Sequence, residues 1–389
     1  MATPTSRTDR IFVYTPWIEA SDAEGVDRVI ATGWISSLGY AVRDFEAAVA
    51  GYVGRKEAVA TMNGTAALHL ALAARGIGPG DEVIVPDLTF VATASVVRYT
   101  GARPVFADVS PVDWNLTPEE VERRRTKRTK AVIAVHLYGN PADAVGIERA
   151  AGRAALIEDA AEAFGAERSE RRVGSFGKAS AFSFYANKIV TTGEGGMALT
   201  DDARMAKRMR FLRDHAMSPK RRYYHPEVGW NYRMTALQAG LGLAQMVRIE
   251  RILASKDRVA AGYAARLGDL AEIALHPPAP EGARGVHWMY SILLPSRSVR
   301  DRLGRHLEAK NIETRPFFLP ISSLPPFRKE ARGAKRPVSY DLSARGLNLP
   351  SGPRLSEADL DRVAEEIRGY LRAKRPGRGS TRGRGTRGR

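Results

Sequence analysis

The stretch Phe182-Ser-Phe-Tyr-Ala-Asn-Lys188, running on into Thr191-Thr-Gly-Glu-Gly-Gly196, decides how the chain is read. Small and aromatic residues alternate up to Phe184, which predicts a short buried strand. A polar turn with one lysine follows, then a glycine cluster and a second strand from Met197 to Thr200. A lysine at a strand end among aromatic rings is partly stripped of water, and loss of water lowers the pKa of an amine. An unprotonated amine attacks carbonyl carbon, including that of pyridoxal phosphate. Lys188 is also one of 60 Lys and Arg residues, and a lysine in a polar turn is more often plain surface. The surrounding chain decides between these readings.

Upstream, Ala58-Val-Ala-Thr61 reads as a strand, Asn63-Gly64-Thr65 as a tight turn, and the Ala- and Leu-rich run to Ala74 as a helix. Free N–H groups and the Thr65 hydroxyl at that helix start would suit a phosphate, and an N-cap role would explain Thr65 equally well. Strands then alternate with helices. Strands are expected at Asp81–Pro86, Arg103–Asp108, Ala131–Tyr138 and Ala154–Asp159, with a helix from Thr89 to Tyr99. This order predicts an α/β fold with a mostly parallel sheet buried between helices and ligands gathered at the carboxyl ends of its strands. Asn63, Asp87 to Phe90, His136 to Gly139, Asp159 and Lys188 should then share one rim. Asp159 ends an apolar strand, so its carboxylate must meet a cation or cap the next helix. Phe90 either stacks on a ligand ring or packs in the core.

The N-terminal part predicts a helix from Ser21 to Thr32 with Val26, Val29 and Ile30 inward, then a glycine-bracketed loop, Gly33-Trp34-Ile-Ser36-Ser37-Leu-Gly39. Beyond Ala203 come a basic helix, the loop Lys220-Arg-Arg-Tyr223-Tyr-His225, and a long helix from about Ala236 to Leu267. A smaller α+β part follows, with strands Trp288–Leu294 and Glu313–Phe318. The expected division is a large unit over 1–250 with an N-terminal arm, a small unit over 251–373 joined by the long helix, and a disordered Arg/Gly-rich tail over 374–389.

Composition bounds the rest. The chain has 389 residues, a net charge of +17 and no cysteine, which excludes disulfides, thiolate metal sites and a thiol nucleophile. The polar start and the lack of a long apolar run point to a cytoplasmic chain without a secretory signal or membrane span. Part of the positive charge sits in the tail, which either adds solubility or touches RNA; the basic remainder suits an anionic ligand such as a nucleotide sugar.

Six motifs in order carry a resemblance: Asn63-Gly-Thr-Ala-Ala-Leu, Pro86-Asp-Leu-Thr-Phe90-Val-Ala-Thr, Val135-His-Leu-Tyr-Gly139, Glu158-Asp-Ala-Ala-Glu-Ala-Phe-Gly165, Phe182 to Lys188, and Gly193-Glu-Gly-Gly196. From about Tyr14 to Leu371 the chain resembles the DegT/DnrJ/EryC1/StrS family, nucleotide-sugar aminotransferases of fold type I that use pyridoxal 5'-phosphate. The resemblance implies that Lys188 holds the cofactor and that Asp159 meets its pyridine nitrogen. It places Glu162 near the ring oxygen, Gly64, Thr65 and Ser183 on the phosphate, and Phe90 on the ring. It implies that Asn231 reaches the cofactor of the neighbouring subunit, hence a homodimer with shared sites. The amino donor would be glutamate. The acceptor would be the C4 ketone of a nucleotide-diphosphate 4-keto-6-deoxyhexose, with a GDP sugar nearest the pattern. Trp34, Ser36, Ser37, Tyr223, Trp288, Tyr290 and Arg315 are candidates for gripping it. The likeness weakens at Arg315–Pro320 and from Ser322 to Arg336. Another dTDP- or UDP-keto sugar, a 3-keto sugar or a cyclitol therefore stays open. So does a non-catalytic regulatory or nucleic-acid-binding role on the same fold.

Overall fold

In the computed structural model, residues 10–331 and 335–373 are described; the 374–389 tail lies outside them. Seven strands form the main sheet: β1 (Glu57–Thr61), β2 (Glu82–Pro86), β3 (Arg103–Ala107), β4 (Thr129–Val135), β5 (Ala155–Asp159), β6 (Ala179–Ser183) and β7 (Gly196–Thr200). Their order is β1-β7-β6-β5-β4-β2-β3, and β7 runs antiparallel to both its neighbours while the others are parallel. The strands are apolar on both faces because both are covered. On β4, Ala131, Ile133 and Val135 pack with Leu70 and Val85, while Val132 and Ala134 pack with Ile84 and Leu156 on the opposite side. With the sheet sealed, its polar chemistry is confined to the strand ends.

Helix α1 (Ala20–Ala31) buries Val29 as expected and leaves Val26 half-buried, but Asp22 and Gly25 share its inner face and Ile30 is 54% exposed. The cause is a close crossing. A Cβ at Gly25 would stand 2.7 Å from the carbonyl oxygen of Gly240. The expected long helix is in fact two, Ala236–Val247 and Ile249–Leu267, broken at Arg248 (φ −119°, ψ 20°). The Arg248 guanidinium turns back to donate to the Trp17 carbonyl at 2.5 Å and to the buried Asp22 carboxylate.

The second of these helices leads to a four-stranded antiparallel sheet of β8 (Ala274–Leu275), β9 (Ser291–Leu293), β10 (Arg315–Pro316) and β11 (Gly346–Asn348), ordered β8-β9-β11-β10. Its core joins Ile292 and Leu347 to Leu303, Leu307, Tyr263, Leu360 and Ile367 from three helices. Its strands are much shorter than expected. Pro316 has no N–H for a ladder. Trp288 to Tyr290 and Phe317 to Phe318 leave the sheet, and Trp288 and Phe318 help wall a cleft at the strand ends of the main sheet.

A buried polar joint ties this C-terminal part to β2 and β3. Asp87, just past β2, accepts from the backbone N–H of Ser322 at 2.7 Å and from its hydroxyl at 2.6 Å, and pairs with Arg336 at 3.0 Å. Asp108, just past β3, accepts from the N–H groups of Val338 and Ser339. Asp87 is thus occupied in this joint, not turned to a ligand. Replacing Arg336 by Leu strands the buried Asp87 carboxylate and should cost about 3 kcal/mol. An unfolding free energy from urea titration lowered by that amount is the expected result; a change below about 1 kcal/mol contradicts it.

Candidate active site

Two glycine contacts set the cleft. Helix α3 (Gly64–Ala74) starts directly against the ends of β6 and β7. A Cβ at Gly64 would meet Ser183 Cβ at 2.8 Å, and one at Gly196 would stand 2.3 Å from the Asn63 carbonyl oxygen. The helix cap is Asn63, whose side chain accepts from Ala66 N–H at 2.8 Å. Thr65 is therefore not the cap, and it lines the cavity with Gly64 and Ser183. The result is a helix N-terminus with two hydroxyls beside it, an arrangement that favours an anion.

The cavity has a volume of about 430 Å³ and is also lined by Phe90, Asp159, Glu162, Lys188, Trp288 and Arg315. Asp159 ends β5. Its carboxylate accepts the Thr93 hydroxyl at 2.8 Å and the Ala161 N–H at 3.3 Å. No helix follows, so capping one is not its role. Burial raises its pKa, and the Thr93 hydroxyl and Ala161 N–H pull in the opposite direction. Glu162 accepts the Tyr138 N–H at 2.8 Å, and burial raises its pKa as well. Burial lowers that of Lys188, while the charges of Glu162 and then Asp159 draw it upward. The site thus holds two carboxyl groups and one amine that all resist ionisation, a common state for groups that exchange protons.

Lys188 is held by its backbone on both sides. Its carbonyl accepts the Tyr14 hydroxyl at 3.0 Å, and the preceding carbonyl of Asn187 accepts the Trp288 indole N–H at 2.6 Å. The Trp288 ring centre lies 3.7 Å from the Lys188 Nζ. Phe90 is 53% exposed, so it is not a core residue; its ring stands 5.8 Å from Phe318.

The other candidates lie elsewhere. Trp34 is 62% and Tyr223 77% exposed. Neither they nor Ser36, Ser37 and the exposed Asn231 line this chain's cavity. Tyr290 is buried against Tyr263 with ring centres 5.1 Å apart, which takes it out of the cleft. His136 to Gly139 follow β4 at the rim, where the Tyr138 N–H reaches Glu162, but none of the four lines the cavity. The Nδ1 of His136 accepts the Ala142 N–H, so its Nε2 donates to Glu158 at 3.1 Å in the interior. Sequence reasoning missed Thr93, Tyr14 and Phe318. Thr93 carried a usable signal: it follows Phe90 by three residues, the spacing that puts two side chains on one helical side.

A lysine in the turn after a buried strand, sharing one cavity with a buried aspartate and a helix N-terminus, defines a site for a phosphorylated carbonyl cofactor. The model of the DegT/DnrJ/EryC1/StrS aminotransferase family matches residues 16–368, and the chain belongs to that family. It is 45% identical to "GDP-perosamine synthase" of Caulobacter vibrioides over 91% of this chain and 96% of that protein. It is 39% identical to the protein of the same name from Escherichia coli O157:H7, over 91% of this chain and 97% of that one. Among solved structures, the aminotransferase TlmJ from Streptoalloteichus hindustanus superposes with a TM-score of 0.89 at 30% identity, covering 94% of this chain and 99% of that one. The protein is a pyridoxal-phosphate-dependent aminotransferase of α/β fold. No helix among the described residues is long and apolar enough to cross a membrane.

The residues present fit that cofactor: Gly64 leaves room where a Cβ would collide with Ser183, and among the described residues the buried Asp159 has no cation hydrogen-bonded to it. Replacing Glu162 by Gln removes a negative charge that holds the Lys188 pKa up. In the cofactor-free protein the pH midpoint for reductive methylation of Lys188, read by peptide mass spectrometry, should move to lower pH. A midpoint that stays or rises contradicts the charge assignment.

Proposed function

We propose that the protein transfers an amino group from glutamate to the C4 ketone of a nucleotide-linked 4-keto-6-deoxyhexose, with GDP-4-keto-6-deoxymannose converted to GDP-perosamine. The observation that carries this reading is one cavity shared by the Lys188 amine, Asp159 and Glu162 in a chain 45% identical, over nearly its whole length, to a GDP-perosamine synthase.

When bound, pyridoxal phosphate supplies an aldehyde that takes up an amine and a ring that accepts electrons. Lys188 would hold it, Asp159 would face its ring nitrogen, and Gly64, Thr65 and Ser183 would hold its phosphate. Glu162 would face the ring oxygen, and Phe90 would cover one face. Free of the cofactor, the Lys188 amine takes the proton from the α-carbon of the donor, and burial, which lowers its pKa, favours the unprotonated form that task needs. The donor leaves as its 2-oxo acid, and the amino group goes to the sugar ketone. Trp288 and Arg315 line the cavity and would meet the sugar and its diphosphate.

The exposed candidates fit a homodimer. Asn231, Trp34, Ser36, Ser37 and Tyr223 do not line this chain's cleft, and in a dimer with shared sites they would serve the partner's. The reaction would run in the cytoplasm.

Purified protein should be tested with glutamate and a panel of GDP-, dTDP- and UDP-4-keto-6-deoxyhexoses, with products identified by mass and NMR. The expected product is the 4-amino GDP sugar; preference for a dTDP or UDP sugar overturns the substrate assignment. In the same assay Asp159→Asn should keep the cofactor yet lose about 100-fold or more in rate, since the ring nitrogen loses its counter-charge. Near-normal turnover would refute that role.

A further inference from the structure

Lys256 is a second lysine with no ordinary surface role. It lies in the helix Ile249–Leu267 and is 0% exposed. Its amine donates to the Trp288 carbonyl at 3.0 Å and to the Ser351 carbonyl. It also stands 5.0 Å from the centre of the Tyr14 ring. No carboxylate bonds it among the described residues: the adjacent Asp257 is turned to Arg284 at 2.8 Å. The other titratable groups around it are His276 and His287, whose rings are 5.2 Å apart and whose pKa values are lowered chiefly by burial. Burial likewise brings the Lys256 amine down to about 7. Keeping an amine in such a place is costly unless its donors are used.

The three groups it touches meet again at the active site. Trp288, whose carbonyl it holds, lays its ring over the Lys188 amine and bonds the Asn187 carbonyl. Tyr14, whose ring it faces, donates to the Lys188 carbonyl. Ser351 fixes the arm that carries Tyr14, because its N–H donates to the Val13 carbonyl at 2.7 Å, and its hydroxyl accepts the Tyr290 N–H at 2.8 Å. One amine thus joins the N-terminal arm, the segment entering β9 and the segment leaving β11 behind a single lysine.

We infer that Lys256 is a positioning residue for the reaction at Lys188: by tying Trp288, Ser351 and Tyr14 together it keeps the indole ring and the tyrosine hydroxyl set against Lys188. This rests on the reading of Lys188 as the reactive amine. Two N–H donors suffice for the two carbonyls, so the tie holds in both the charged and the neutral form of Lys256.

The test is the reactivity of Lys188 in the cofactor-free protein, followed as reductive methylation against pH and read by peptide mass spectrometry. It needs neither cofactor nor sugar, so its failure is distinct from failure of the transamination reading. In Lys256→Met the ring loses its anchor and water reaches the Lys188 amine. The midpoint should move to higher pH, and methylation at neutral pH should slow about fivefold. Lys256→Gln keeps N–H donors and should fall between that variant and the parent. It also serves if the methionine variant fails to fold. Combined with Trp288→Phe, which frees the ring from Asn187, Lys256→Gln should add little further change, because both act through one contact. A Lys188 profile unaltered in Lys256→Met, or effects of Lys256→Gln and Trp288→Phe that simply add, overturns the proposal.

Discussion

The Lys188 amine follows a buried strand, with the centre of an indole ring 3.7 Å from its nitrogen and two carboxyl groups in the same cavity that are themselves short of water. Desolvation penalises every charge in this group, and Coulomb attraction between amine and carboxylates offsets part of the penalty. The balance leaves the amine easily deprotonated and the carboxyls easily protonated. An aminotransferase needs both properties, since one amine must act as nucleophile and as proton carrier in turn. Much of the chain serves to maintain that balance.

The fold does so by closing everything except the strand ends. Apolar residues on both faces of the main sheet leave its carboxyl rim as the place where polar side chains collect. Gly64 and Gly196 let the start of a helix press against the ends of β6 and β7, which turns backbone N–H groups toward the same rim. The C-terminal part then supplies the lid residues Trp288, Arg315 and Phe318. It is moored by the Asp87–Arg336 and Asp108–Ser339 contacts at one end and by Lys256 and the N-terminal arm at the other.

The strand–helix alternation, the glycine turn at Asn63–Thr65 and the lysine after Phe184 were legible because each is a local pattern with a local cause. Lys188, Asp159, Glu162, Gly64, Thr65, Ser183 and Phe90 come together in one cavity, as their motifs suggested. What escaped was set by distant partners. The break at Arg248 depends on Asp22 and on the Trp17 carbonyl, more than two hundred residues away. The burial of Tyr290 depends on stacking with Tyr263, and that of His136 on Glu158. The short strands of the second sheet follow from Trp288 and Phe318 being drawn to the cleft, a demand no periodicity in those segments records. Trp34, Ser36, Ser37, Tyr223 and Asn231 do not line the chain's own cavity, and nothing in their local sequence separates them from the residues that do.

The central claim is that Lys188, and not the more deeply buried Lys256 or a surface lysine, carries the cofactor. Reducing the pyridoxal-phosphate-loaded protein with borohydride and mapping the modified peptide tests it directly. The account predicts a single pyridoxyl group on Lys188; modification at Lys256, or spread over exposed lysines with Lys188 untouched, would contradict it.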